Sequence, residues 1–159
     1  MKNIEIKINI QFCPLEELPQ DEQELVRAAI KATDNANAKY SHFYVGAALL
    51  LDDGSTVIGA NQENAVFPLG LCAERTAIFA AQAHYPEKSI VKLAIAARNQ
   101  AGLMDRPVSP CGSCRQVILE MEERYHRPIR TLLYGRQGVY AVDSIKDLLP
   151  LSFVDESMK

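Results

Sequence analysis

The chain has 159 residues, 48% hydrophobic and 23% charged, which fits one folded domain and argues against a disordered chain. Seventeen basic residues against twenty acidic ones give a formal net charge of −3, with no Trp and only 7% aromatic residues, so neither phosphate attraction nor base stacking favours a nucleic-acid partner. No apolar run reaches the roughly 18 to 20 residues that span a bilayer, and the N-terminus MKNIEIKINI alternates where a signal peptide has a solid apolar core, so no membrane partner and a cytoplasmic location are expected.

In chain order, Ile4, Ile6, Ile8, Ile10 and Phe12 recur every second residue, which predicts a half-buried strand over residues 4–12. Pro14 and Pro19 bracket a connector. Helical spacing of Leu25, Val26, Ala29, Ile30 and Thr33 predicts a helix over residues 21–39, with acidic residues in its first turn where the helix dipole favours them. Two apolar runs around Asp52-Asp53-Gly54 predict a hairpin over residues 45–60. After an irregular stretch, CAERTAIFAAQAHY holds no helix breaker before Pro86, so Cys72 falls at a helix start.

Residues 90–97 read as a strand, and CGSCRQVILEMEERYH reads as a second helix that opens at its cysteines. Short strands are expected over residues 129–134 and 139–142. Ser144 with Asp147 suggests a capped last helix ending at Pro150. Strands alternating with helices, one pair of them joined by a tight hairpin, predict an α/β layered domain with a mixed sheet.

Four cysteines in a reducing compartment point to metal or redox chemistry rather than disulfides. Cys111-Gly112-Ser113-Cys114 at a helix start suits either a redox dithiol or a metal site, because amide dipoles lower thiol pKa values there. Cys72, also at a helix start, adds a third thiolate, and Glu74 adds a carboxylate two residues on. A catalytic zinc needs three protein ligands, an open fourth position and a nearby proton shuttle. Pro110-Cys111 completes the zinc-deaminase signature of a ligand two residues before Glu, followed by Pro-Cys-x-x-Cys.

With Cys72-Ala73-Glu74-Arg75 and Pro110-Cys111-Gly112-Ser113-Cys114-Arg115-Gln116-Val117, the sequence closely resembles cytidine deaminases of the small, all-thiolate, homotetrameric kind. The resemblance runs from about residue 22 to Phe153. It includes the blocks that begin at Tyr40 (YSHFYVGAAL), Asn61 (NQENA) and Leu148 (LLPLSF). It implies a three-layer α/β/α domain around a central mixed five-stranded sheet. Residues 1–19 form an N-terminal extension carrying an extra strand, 20–153 the deaminase-like domain and 154–159 a tail.

The resemblance also implies an activity: zinc-dependent hydrolysis of cytidine and 2′-deoxycytidine to uridine and 2′-deoxyuridine in pyrimidine salvage, with one zinc per subunit. Cys72, Cys111 and Cys114 would hold the metal. Glu74 would move a proton from the attacking water to ring nitrogen 3 and then to the leaving amine. Three thiolates around a +2 ion leave the site at −1, so cations must offset it. Arg75 matches an arginine that hydrogen-bonds a ligand sulfur, and Arg115 is a further cation supporting the ligands from behind.

For the substrate, Asn61 and Glu63 match the pair that binds the ribose 3′-hydroxyl, and Phe43 an aromatic that packs on the base. Backbone groups of Ala73 and Ser109 match those holding the pyrimidine oxygen and the amine. In the homotetramer, active sites are shared between subunits: Ala65 and Phe67 lie near the 5′-hydroxyl and Phe153 covers the ring. Family members usually carry Tyr where this chain has Phe67. Readings that compete with this one are a deaminase of another cytosine-bearing small molecule such as a nucleoside antibiotic, a zinc-stabilised structural module, and a redox dithiol protein. Cys13 and the three histidines, His42, His84 and His126, lack motif spacing and are left out of the site.

Overall fold

The computed structural model describes residues 1–159. Its first half contains β1 (Gln11–Cys13), α1 (Gln20–Ala32), β2 (Tyr44–Leu51), β3 (Thr56–Ala60) and α2 (Ala73–His84). The second half adds β4 (Ile90–Asn99), β5 (Gly102–Leu103), α3 (Gly112–Tyr125), β6 (Arg130–Gly135) and β7 (Gly138–Val142). The expected hairpin is β2 and β3, turned by Asp53, whose Oδ1 accepts from the Ser55 amide at 3.0 Å and the Ser55 hydroxyl at 2.6 Å.

One sheet runs in the order β1-β7-β6-β4-β2-β3, with the two-residue β5 paired to β4. Five longer strands make its body, and β1 adds the N-terminal edge. β4 and β6 are parallel and the other pairs antiparallel, because α3 provides the crossover that a parallel pair needs. On one face α1 packs Leu25, Val26 and Ala29 against Ala48, Ala94, Ala96 and Leu132. On the other, Ala77, Ile78 and Ala81 of α2 and Ile118 and Leu119 of α3 pack against Leu49, Leu93, Ile95 and Leu133. The result is the expected three-layer α/β/α arrangement. Beside α1, Lys92 Nζ donates to Asp21 at 2.7 Å and to the buried Glu22 at 2.9 Å, and Arg130 Nε donates to Glu22 at 2.8 Å.

Three elements are shorter than their sequence pattern. The strand over 4–12 contracts to Gln11–Cys13 because β7 ends at Val142, just past the residue opposite Gln11. The helix over 21–39 ends at Ala32, where the Thr33 hydroxyl donates back to the Ile30 carbonyl at 2.7 Å and a 3₁₀ turn follows. The last helix is only a 3₁₀ turn, Ile145–Leu148, capped by Ser144 Oγ accepting from the Lys146 amide. No helix is long and apolar enough to cross a membrane.

Candidate active site

Both cysteine motifs start helices, as their sequence context dictates. Cys72 is the N-cap of α2 and Cys111 the N-cap of α3, while Cys114 is buried in the first turn of α3. Neither N-cap thiol accepts a capping bond from the backbone of its own helix, so both sulfurs are free to face one another. The three Sγ atoms lie within 4.8 Å of each other, with Cys72 and Cys111 at 3.9 Å. Two sulfurs on a tetrahedral zinc, each about 2.3 Å from the ion, stand about 3.8 Å apart. The donor set and spacing therefore fit zinc.

Charge is arranged around those sulfurs. Two helix N-termini converge on them, and positive dipole ends favour thiolates. Arg75 donates from Nη2 to Cys72 Sγ at 3.4 Å. Hydrogen bonding from Cys114 and from Arg75 holds the Cys72 thiol down at about 5. Cys114 is pushed up by its bond to Cys72 and by burial. Glu74, in the first turn of α2 and 4% exposed, has its carboxyl pushed up by burial and then by the Cys72 charge.

Cys72, Cys111 and Glu74 open onto a cleft of about 320 Å³, a size suited to a small organic ligand. Phe43, Asn61, Glu63, Ala73 and Ser109 line it with Cys72, Glu74 and Cys111. Asn61 Nδ2 donates to the Phe43 carbonyl at 2.9 Å and its Oδ1 accepts from the Val45 amide at 2.8 Å. Each of those atoms keeps one more bonding position. Glu63 accepts from the Tyr40 amide at 2.8 Å and the Ser41 amide at 3.2 Å, and the Ser41 side chain, followed by these amides, holds its carboxyl below the usual range. It stays anionic at the cleft mouth.

Other expected residues lie outside this cleft. Phe67 is 72% exposed, edge-on to Tyr40 with ring centroids 5.5 Å apart, and Ala65 is exposed beside it. Phe153 is 59% exposed and its carbonyl accepts from Gln116 Nε2 at 2.9 Å. Arg115 touches no sulfur: its Nε donates to the Pro110 carbonyl at 2.8 Å and its Nη1 to the Leu148 carbonyl at 2.6 Å. It braces the backbone next to Cys111. Cys13 and the histidines stand outside the sulfur cluster. Ser41, Val45, Ile95 and Val108 complete the cleft wall. None of these was singled out from sequence, and only Ser41 and Val45, inside a quoted block, carried a signal there.

Comparison with known proteins agrees with this geometry. Residues 19–126 match the family model described as "Cytidine and deoxycytidylate deaminase zinc-binding region". The chain is 42% identical over 140 residues to a cytidine deaminase of Halalkalibacterium halodurans, covering 87% of this chain and 98% of that one. It is 38% identical over 140 residues to a cytidine deaminase of Mycobacterium tuberculosis, covering 86% and 92%. Among solved structures, the cytidine deaminase of Burkholderia pseudomallei superposes with a TM-score of 0.71 at 38% identity, over 82% of this chain and 97% of that one. The M. tuberculosis cytidine deaminase gives 0.66 at 31%, over 86% and 99%. On the family match and these relatives together, the chain belongs to the cytidine and deoxycytidylate deaminases that bind zinc.

Proposed function

We propose that the protein hydrolyses cytidine and 2′-deoxycytidine to uridine and 2′-deoxyuridine with release of ammonia, as a cytoplasmic step of pyrimidine salvage. The observation that carries this reading is the meeting of three thiols with the buried Glu74, whose carboxyl is pushed up by burial, beside a nucleoside-sized cleft. The names of the relatives support the substrate. Cys72, Cys111 and Cys114 are the ligands of one zinc per chain. When bound, zinc supplies Lewis acidity that makes water a nucleophile near neutral pH.

The remaining chemistry belongs to this chain's own groups. Glu74 takes a proton from the attacking water and gives it to ring nitrogen 3, then takes the second proton from the hydroxyl formed at carbon 4 and gives it to the leaving amine as the carbon–nitrogen bond breaks and the carbonyl forms. Its raised pKa suits a group that must both accept and donate. The Ala73 and Ser109 backbones hold the pyrimidine oxygen and the departing nitrogen, and Phe43 packs against the base. Asn61 and Glu63 bind the ribose 3′-hydroxyl, which both donates and accepts. Arg75 offsets the thiolate charge at Cys72. Arg115 positions Cys111 through Pro110.

Ala65, Phe67 and Phe153, exposed here, complete the active sites of neighbouring subunits in a homotetramer. Within the chain, residues 20–153 form the deaminase domain, 1–19 its extension and 154–159 a tail. Loss of ultraviolet absorbance on cytidine, deoxycytidine, their monophosphates and a cytosine nucleoside antibiotic tests the substrate. Turnover of the two free nucleosides is expected; preference for a monophosphate or the antibiotic would overturn the assignment.

A further inference from the structure

The strand pattern of residues 4–12 is largely unused by the fold. Only Gln11–Cys13 pair with β7, while Ile4, Ile6, Ile8 and Ile10 stand 79%, 50%, 50% and 47% exposed. Four alternating isoleucines make an apolar row whose burial is favourable. The row continues into Phe12. Ile10 and Phe12 line a hollow of about 420 Å³ with Leu133, Tyr140, Val142 and Leu148. The Phe12 and Tyr140 rings meet there at 5.2 Å and both stay exposed. Backbone amides and carbonyls of an unpaired strand template pairing with another chain.

We propose that this edge is an interface with a second copy of the chain, residues 3–9 of the two copies running antiparallel about a two-fold axis at Ile6. Charge selects that register. With Ile6 opposite Ile6, Glu5 faces the second copy's Lys7, Lys7 faces its Glu5, Asn3 faces Asn9, and Ile4 faces Ile8. Opposite charges across strands favour pairing and like charges oppose it. Moving the axis to Glu5 sets carboxylate against carboxylate, and moving it to Lys7 sets ammonium against ammonium. An odd shift puts isoleucines opposite polar residues and turns the two apolar rows to opposite faces. The isologous pairing brings both rows onto one face, continuous with the hollow beneath Phe12 and Tyr140.

Cysteine cross-linking of the full zinc-loaded protein tests the register. Under mild oxidation Ile6→Cys is expected to form an interchain disulfide, while Ile8→Cys alone and the wild type form none. Adding Glu5→Lys to Ile6→Cys, or Lys7→Glu instead, is expected to slow cross-linking about tenfold, and combining both reversals to restore it. The two single reversals change net charge in opposite directions, so a slowing by both reports pairing and not bulk repulsion. Absence of the Ile6→Cys disulfide, as when the segment folds over its own hollow or docks on another protein or a lipid surface, would overturn the proposal. Equal rates in all charge backgrounds, or failure of the double reversal to recover, would overturn it too.

Discussion

Two glycines on one hairpin admit the two helical layers. Gly46 faces α1, where a Cβ would overlap the Ala29 carbonyl; Gly59, one pair along the same ladder, faces α2, where a Cβ would overlap the backbone of Ala73 and Ala77. The same steric device serves different ends. What α1 brings is apolar packing through Leu25, Val26 and Ala29, with an ion cluster at its start. What α2 brings is its N-terminus, with Cys72 and Glu74 aimed at the α3 cysteines. A close helix–sheet approach stabilises both faces, but only one of them carries the thiols and carboxyl of the proposed active site.

That distinction can be broken by experiment. Gly59→Ala is expected to have the largest effect: about 3 kcal/mol of stability lost to overpacking, with zinc content and turnover per chain falling because α2 carries Cys72 and Glu74 with it. Gly46→Ala is expected to cost similar stability in urea denaturation while folded molecules keep wild-type turnover and zinc. Equal loss of turnover per folded chain from both would erase the difference between the faces. Arg75→Gln, which removes the guanidinium from Cys72 Sγ, should lower zinc affinity or turnover about 10- to 100-fold with an unchanged Tm. Wild-type kinetics in that variant would remove the electrostatic role given to Arg75.

The smallest effect lies on the α1 face. The Lys92 ammonium holds the Asp21 carboxyl below the usual carboxylate range. A depressed pKa contributes stability that is full above the unfolded value near 3.9 and is lost as pH falls through the folded value. Asp21 is half exposed, so solvent screening limits the contribution at pH 7 to under about 1 kcal/mol. Asp21→Asn should therefore flatten the acid limb of the stability profile and leave turnover unaffected.

Legibility followed the range of the interactions. The starts of α2 and α3 were readable because each cysteine precedes a run of helix formers, and the hairpin because Asp53-Gly54 sits between two apolar runs. The 3₁₀ turn after Ser144 was not, because the buried Glu122 carboxylate accepts from Ser144 Oγ and the Ile145 amide at 2.7 and 2.9 Å, across 22 and 23 residues of chain. In the cleft, Cys72, Glu74 and Cys111 were visible as motif residues. Ile95 and Val108 were not, since nothing in an apolar strand or a turn-rich loop marks which residue will face a ligand. The glycines that admit the helices were equally silent, because a close approach depends on a helix distant in sequence.

The most direct measurement is turnover of cytidine by zinc-loaded wild type and by Glu74→Gln at matched zinc content. The result expected is one zinc per chain in both, uridine and ammonia from the wild type, and turnover lower by about 10³-fold in the variant. A zinc-loaded wild type that leaves cytidine intact, or a Glu74→Gln variant that turns it over at the wild-type rate, would contradict a deaminase built from three thiolates and one buried carboxyl.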